Sequence, residues 1–215
     1  MLIVRPDFDR RIDLPGAGPC PRPVDIDGTK ADLKQLVSLR VYSFAAGTAI
    51  DGEAEGDEVF IVLMRGAADF AVTAAGERQT FALREDGERV FYMPPGSAYR
   101  LDAIGDCDIA YARCMPRGTT PGPRGFAPAG GRLDIADHAT GMALGLAIAT
   151  ARGALAGSAG SAERFVHVRS RGGAVRLSGE RLGDWESAIV AAGEAATVEV
   201  EGEEVDILTI GATPA

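Results

Sequence analysis

The sequence predicts an all-β protein built from two tandem barrels, on three observations. Short segments rich in Val, Ile, Phe and Tyr recur along the chain, each bounded by Gly, Pro or Asp, as strands in a barrel or sandwich are. Helical periodicity is missing beyond one turn expected at ADLKQL, 31–36. The segment pattern occurs twice, on either side of a stretch dense in Pro and Gly.

Taken in order, 1–35 reads as an N-terminal arm. The first barrel spans 36–115, with strands expected at LVSLRVYSF (36–44), EVFIVLMRG (58–66), ADFAVTAAGERQTFAL (68–83), RVFYMPP (89–95), AYRLDAI (98–104) and CDIAYARC (107–114). The strand from Glu58 is apolar on both parities after its first residue, which predicts burial on both faces. The stretch MPRGTTPGPRGFAPAGG (115–131) runs into 116–140, read as a linker without strand pattern. The second barrel, 141–215, is expected to be degenerate, with strands at 142–150, 163–170, 174–179, 186–192, 196–202 and 204–211.

The two halves echo one another. Glu58-Val59-Phe60-Ile61-Val62-Leu63 aligns with Glu163-Arg164-Phe165-Val166-His167-Val168. PPGSAYRLDAIGDCDIAY aligns with AAGEAATVEVEGEEVDIL with one insertion, so two separated blocks share an offset near one hundred residues.

Composition narrows the function. A chain of 215 residues, 46% hydrophobic, has enough apolar material for a core. Its net charge of -9 opposes phosphate backbones and anionic lipid, so neither nucleic acid nor membrane is an expected partner. The opening MLIVRPDFDRR has too short an apolar run for a signal or a span, so a cytoplasmic protein is expected. Cys20, Cys107 and Cys114 are odd in number. The last two lie on one expected strand with opposite parity, and all three read as reduced thiols. Two histidines leave little for an imidazole-rich metal site.

GTAIDGEAEGDEVFIVLMRG (47–66) and GERVFYMPPGSAY (87–99) resemble the paired motifs of the cupin superfamily, and most closely those of the bicupin 5-deoxy-glucuronate isomerases of inositol catabolism. The resemblance implies two jelly-roll barrels, a divalent ion held by three imidazoles and a carboxylate, and aldose–ketose isomerisation of a sugar acid. Carried over by residue, Gly47 takes the leading glycine and Gly66 the closing one, a residue late. Glu53, with Asp51 or Glu55, takes the two histidine places, Glu58 the glutamate, and Tyr99 stands close to the last histidine. None of the three is histidine, so no transition metal and no other cofactor is expected. An oxygen-only Mg or Ca site at Asp51, Glu53, Glu55 and Glu58 is the alternative to a solvated acidic turn.

The second barrel offers Glu163, His167 and Arg169 on one strand parity, opposite Val166 and Val168. Facing inward, they line one cavity in which Arg169 binds a carboxylate, His167 moves a proton and Glu163 completes the ligand site. Facing outward, the two valines form the core and the charged face lies in solvent or at a subunit interface. Elsewhere, AGSAG around Ser158 only imitates a nucleophile elbow, His138 reads as exposed beside the linker, and Trp185 as a packing anchor.

The expectation is a sugar-acid isomerase-like homodimer with Glu58, Tyr99 and His167 as catalytic candidates and Glu53, Glu163 and Arg169 as ligand-binding ones, taking a uronate or similar small molecule. The rival is a non-catalytic cupin, a binding or assembly module.

Overall fold

A computed structural model describes residues 1–149, 153–155, 162–202 and 204–213, and among them the regular structure is all strand. In the first half, Val90–Met93, Glu58–Arg65, Cys107–Cys114 and Leu36–Phe44 lie side by side in one sheet. Ala49–Glu53, Ala98–Ala103, Ala67–Ala74 and Glu77–Arg84 form the facing sheet. The second half repeats this order. Ser187–Val190, Arg164–Ser170, Val205–Ala212 and Met142–Ala149 face Gly153–Leu155, Val198–Glu201, Ala174–Leu177 and Glu180–Leu182. Eight strands in the same order, split between two sheets, make each half a jelly roll, so the internal repeat is structural.

Several segments expected to lack strands carry them. Val24–Ile26 of the arm and Arg124–Phe126 of the linker flank the large sheet of the first barrel. Leu2–Val4 and Arg132–Ile135 flank that of the second, so each barrel borrows two edge strands from outside its own run. These additions cover sheet edges that would otherwise stay unpaired. The arm also carries a hairpin, Arg11–Leu14 with Gly18–Pro21, whose Ile12, Leu14 and Cys20 pack on the first barrel's core. The helical turn expected at 31–36 does not form, because the backbone amides there are committed to Glu163.

The two large sheets pack against each other, which accounts for the strand apolar on both parities. Val59, Ile61 and Leu63 point into the first barrel with Phe91, Met93 and Ile109. Phe60, Val62 and Met64 point out of it, onto Leu144, Phe165, Leu208 and Ile210 of the second. The second barrel's interior is lined by Val166, Val168, Val175, Leu177 and Ile207. Cys107 and Cys114 fall on opposite faces of their strand, in the first barrel's core and in the interface respectively, and all three cysteines are free and buried.

Candidate functional site

The residues singled out from the sequence separate into three places. Glu58 and Glu163, equivalent in the repeat, both lie in the interface between the barrels. Glu58 is fully buried and accepts hydrogen bonds from Tyr92 Oη (2.7 Å), Thr140 N (2.8 Å), Thr140 Oγ1 (2.9 Å) and Gly141 N (2.8 Å). Burial, then the Glu58 neighbour, raises the pKa of both the Tyr92 hydroxyl and the Cys114 thiol, so both remain protonated donors facing it. Glu163 in turn accepts from the backbone amides of Lys34 (2.9 Å), Gln35 (2.7 Å) and Leu36 (2.6 Å). Each barrel's glutamate therefore grips the segment leading into the other barrel's first strand. This is a reciprocal clasp, and its acceptor sites are filled by the protein itself.

His167 and Arg169 share the Phe165 face of their strand, so they too lie in the interface and the inward reading of the Glu163, His167 and Arg169 face is overturned. The reason is hydrophobic: Val166 and Val168 take the barrel core. Arg169 bonds Asp108 of the first barrel (2.6 Å) and Asp184, and its guanidinium lies 4.0 Å from the centre of the Trp185 ring. Its counterpart Arg65 crosses the other way to Asp206, which also receives Arg89 (2.8 Å). His167 Nδ1 meets Ser187 Oγ at 2.8 Å, and burial, then the Arg169 charge, pushes its pKa down to about 3. A neutral imidazole packed between sheets is no proton shuttle near neutral pH.

Inside the first barrel the acidic hairpin is out of register with the implied site. Ile50 and Ala54 are buried in the core, and a Cβ at Gly52 would lie 2.5 Å from the Tyr99 ring, so the inward positions are 50, 52 and 54. Asp51 and Glu53 point outward into solvent; Glu55, also exposed, turns to Arg113 at 2.8 Å. A one-residue shift has moved every carboxylate to the other face. Tyr99 fills the space against Phe70 and Tyr111, with ring centres 6.0 and 5.9 Å away, and burial pushes its pKa up to about 12. The residues present do not fit the implied ion: Gly52, Ala54 and Val59 bring no ligand atom. Among the described residues no three His, Cys, Asp or Glu gather where a metal could sit.

The second barrel keeps open space. A cavity of about 260 Å³ is walled by Ala143, Gly145, Ala147, Val166, Leu177 and Ile207, with Thr209 and Arg164 contributing polar atoms. Arg164 is buried, donates to the Glu194 carbonyl at 2.7 Å, and has its pKa lowered chiefly by burial. Arg132 and Asp134, paired at 2.6 Å, border the cavity on exposed positions of their strand. Sequence reasoning missed Arg164 because it followed the Glu163 parity. The signal was present, since Arg164 shares the parity of the two valines that form the core.

A family model for KduI/IolB matches residues 20–132, more than half of the chain. The chain belongs to the KduI/IolB family. No curated protein matches it. Among solved structures, Ylba from E. coli superposes with a TM-score of 0.72 at 18% identity, covering 98% of this chain and 90% of that one. An IolB-like protein from Salmonella typhimurium LT2 gives 0.66 at 15%, covering 100% and 94%. The bacterial pirin YhhW of E. coli, solved with nickel(II), gives 0.68 at 14%, covering each chain completely. At these identities the likeness carries the cupin fold and nothing about chemistry.

Within this KduI/IolB cupin, then, Glu58, Tyr99 and His167 do not meet: one is in the clasp, one plugs the first barrel and one is sealed in the interface. Glu53 is on the surface, Glu163 serves the clasp, and Arg169 pairs with Asp108 across the interface. His138 is half-buried rather than exposed, edge-on to Tyr92 (4.8 Å) and Phe126 (5.2 Å), because the linker folds a strand beneath it. Trp185 anchors the interface as expected. Ser158 lies outside the described residues. No helix among the described residues is long and apolar enough to cross a membrane.

Proposed function

We propose that this KduI/IolB cupin binds a small anionic metabolite inside its second barrel and does not perform the metal-centred aldose–ketose isomerisation that the resemblance implies. One observation carries the reading. The first barrel's inward positions, Gly52, Ala54 and Val59, hold no ligand atom, while the second keeps a cavity with a buried arginine in its wall. Arg132 and Asp134, which also line the cavity, neutralise each other at 2.6 Å, so an arginine in the largely apolar remainder of the wall favours an anion, its pull strengthened by the low-dielectric surroundings. The rival reading, catalysis on a uronate in the region that the family model matches, needs an acid or base inside the first barrel. Among the described residues, that barrel's core holds Tyr99, Tyr111 and Cys107, and burial raises the pKa of all three.

The test has two arms on the full chain. Thermal unfolding is followed with 10 mM uronates, aldonates and short carboxylic acids. Each acid, with manganese, nickel or zinc added, is also incubated with the protein and watched by proton NMR for ketose. At a hundredfold excess over Kd a ligand stabilises by about 2.7 kcal/mol, a rise in Tm of roughly 5–10 °C for a chain of this size. A rise without turnover is expected. Turnover of a sugar acid, or no rise with any acid, overturns the reading.

A further inference from the structure

We propose that Glu77–Arg84 is the pairing edge of a two-fold dimer, in which the first-barrel sheets of two copies of this chain join into one. The strand is the last in its sheet and pairs on one side only, with Ala67–Ala74. Elsewhere the fold keeps its edges short. The large sheets end in strands of three or four residues, Leu2–Val4, Val24–Ile26, Arg124–Phe126 and Arg132–Ile135, and the equivalent strand of the second barrel, Glu180–Leu182, has three. Glu77–Arg84 has eight, the longest edge among the described strands, and it carries neither the lysine nor the proline that commonly protects one.

Its free side is defined by the hairpin that begins it. Ala75 and Gly76, with φ of 50° and 84°, make a two-residue turn closed by the pair Ala74 and Glu77. That closing pair is hydrogen-bonded, so Glu77, Gln79, Phe81 and Leu83 turn their backbone groups toward Ala67–Ala74, and Arg78, Thr80 and Ala82 turn theirs outward. Arg84 confirms the alternation, since its amide donates away from the sheet to the Glu88 carbonyl at 2.9 Å. Arg78, Thr80 and Ala82 are exposed, and no backbone group among the described residues meets theirs on that side. A second copy fits this edge in one register. Pairing Thr80 with itself on a two-fold axis sets Arg78 against Ala82 of the second copy, and every outward donor and acceptor of the three residues is used. Sliding one copy by a residue pair sets Arg78 against Arg84, whose amide is already taken, or carries Ala82 past the strand end to Gly76. The charges suit the same partner. Glu77 offsets Arg78 and Asp69 holds Arg84 at 2.7 Å, so two chains of net charge -9 meet at an edge that is itself balanced.

The experiment is sedimentation velocity of the full chain at about 100 μM, as wild type and as Thr80→Lys and Thr80→Pro. Thr80→Lys places two ammonium groups on the axis, and Thr80→Pro removes the two amides that bond across it. Thr80 is exposed and its outward amide is unused within one copy, so both variants are expected to fold, and either one alone decides the question. Register is read by cysteine cross-linking under a mild oxidant, to which the buried native thiols of Cys20, Cys107 and Cys114 are closed. Residues directly opposed in a hydrogen-bonded pair lie about 5.5 Å apart at Cα, within reach of a disulfide. The expected pattern is a mass twice that of the chain for wild type and a dimer weakened by about 30-fold or more in both variants, from the two axial bonds lost. Thr80→Cys is expected to cross-link, and Ala82→Cys, which faces Arg78 of the second copy, is not. A monomeric wild type overturns the proposal, as does a dimer that the variants leave intact. Cross-linking of Ala82→Cys in preference to Thr80→Cys overturns the register.

Discussion

Replacing Glu58 by Gln removes one acceptor oxygen from a site that four short hydrogen bonds fill. Oε1 serves Tyr92 Oη and Thr140 N, and Oε2 serves Thr140 Oγ1 and Gly141 N. Whichever way the amide turns, its NH2 faces two donors where an oxygen accepted from them. A buried donor stripped of its acceptor costs about 1–3 kcal/mol, so two of them cost roughly 2–5 kcal/mol. Against a total stability of about 5–15 kcal/mol for a folded domain, that loss is large. Glu163→Gln disturbs the amides of Lys34, Gln35 and Leu36 in the same way and is expected to cost a similar amount. The assay is urea unfolding followed by the fluorescence of Trp185, the single tryptophan, which sits in the interface. A midpoint change equivalent to less than about 1 kcal/mol in both variants would refute the clasp.

Two further outcomes follow from the geometry. His167 has a folded pKa of about 3 against an ordinary value near 6.5, so between those pH values the unfolded chain binds a proton that the folded one does not; its contribution is present above pH 6.5 and is lost as pH falls toward 3. From pH 6.5 to 5 the loss is roughly 2 kcal/mol, and urea stabilities of wild type and His167→Leu at the two pH values must converge by about that much; parallel profiles would sink the assignment. Gly66 has φ of 86°, and a Cβ there would fall 2.0 Å from the Asp106 carbonyl oxygen, whereas Gly47, with φ of 79°, has open space around it. Gly66→Ala should therefore lose more than about 3 kcal/mol and Gly47→Ala about 1 kcal/mol, and equal melting temperatures for the two would contradict the close approach.

The strands were legible because their edges are marked: Leu36–Phe44 and Cys107–Cys114 begin and end where turn residues bound the apolar runs. The repeat was legible because Glu58 and Glu163 perform one task, as do Arg65 and Arg169 with the aspartates of the opposite barrel. What sequence could not settle is which face of a doubly buried strand looks inward. Phe60, Val62 and Met64 are as apolar as Val59, Ile61 and Leu63, so nothing in the pattern separates a barrel interior from a barrel–barrel contact. His167 was read as a proton carrier for the same reason. The arm and linker strands were missed because three or four residues of a pairing edge, such as Arg124–Phe126, carry too little pattern against their Pro and Gly neighbours.

The placement of the cavity follows from this arrangement of faces. Because the large sheets meet, the charged residues of the repeat were free to work on the interface, and each barrel's interior is decided by the opposite parity alone. In the first barrel that parity carries Tyr42, Phe44, Phe70, Phe81, Phe91 and Tyr111, and Tyr99 packs among them, which fills the interior. In the second it carries Ala143, Gly145 and Ala147 opposite Val166 and Leu177, and the space that the small residues leave is the cavity. Arg164, aligned with Val59, stands where the first barrel has an ordinary core valine. A buried guanidinium at a position that its counterpart fills with an aliphatic side chain costs stability through desolvation, which its bond to the Glu194 carbonyl offsets in part.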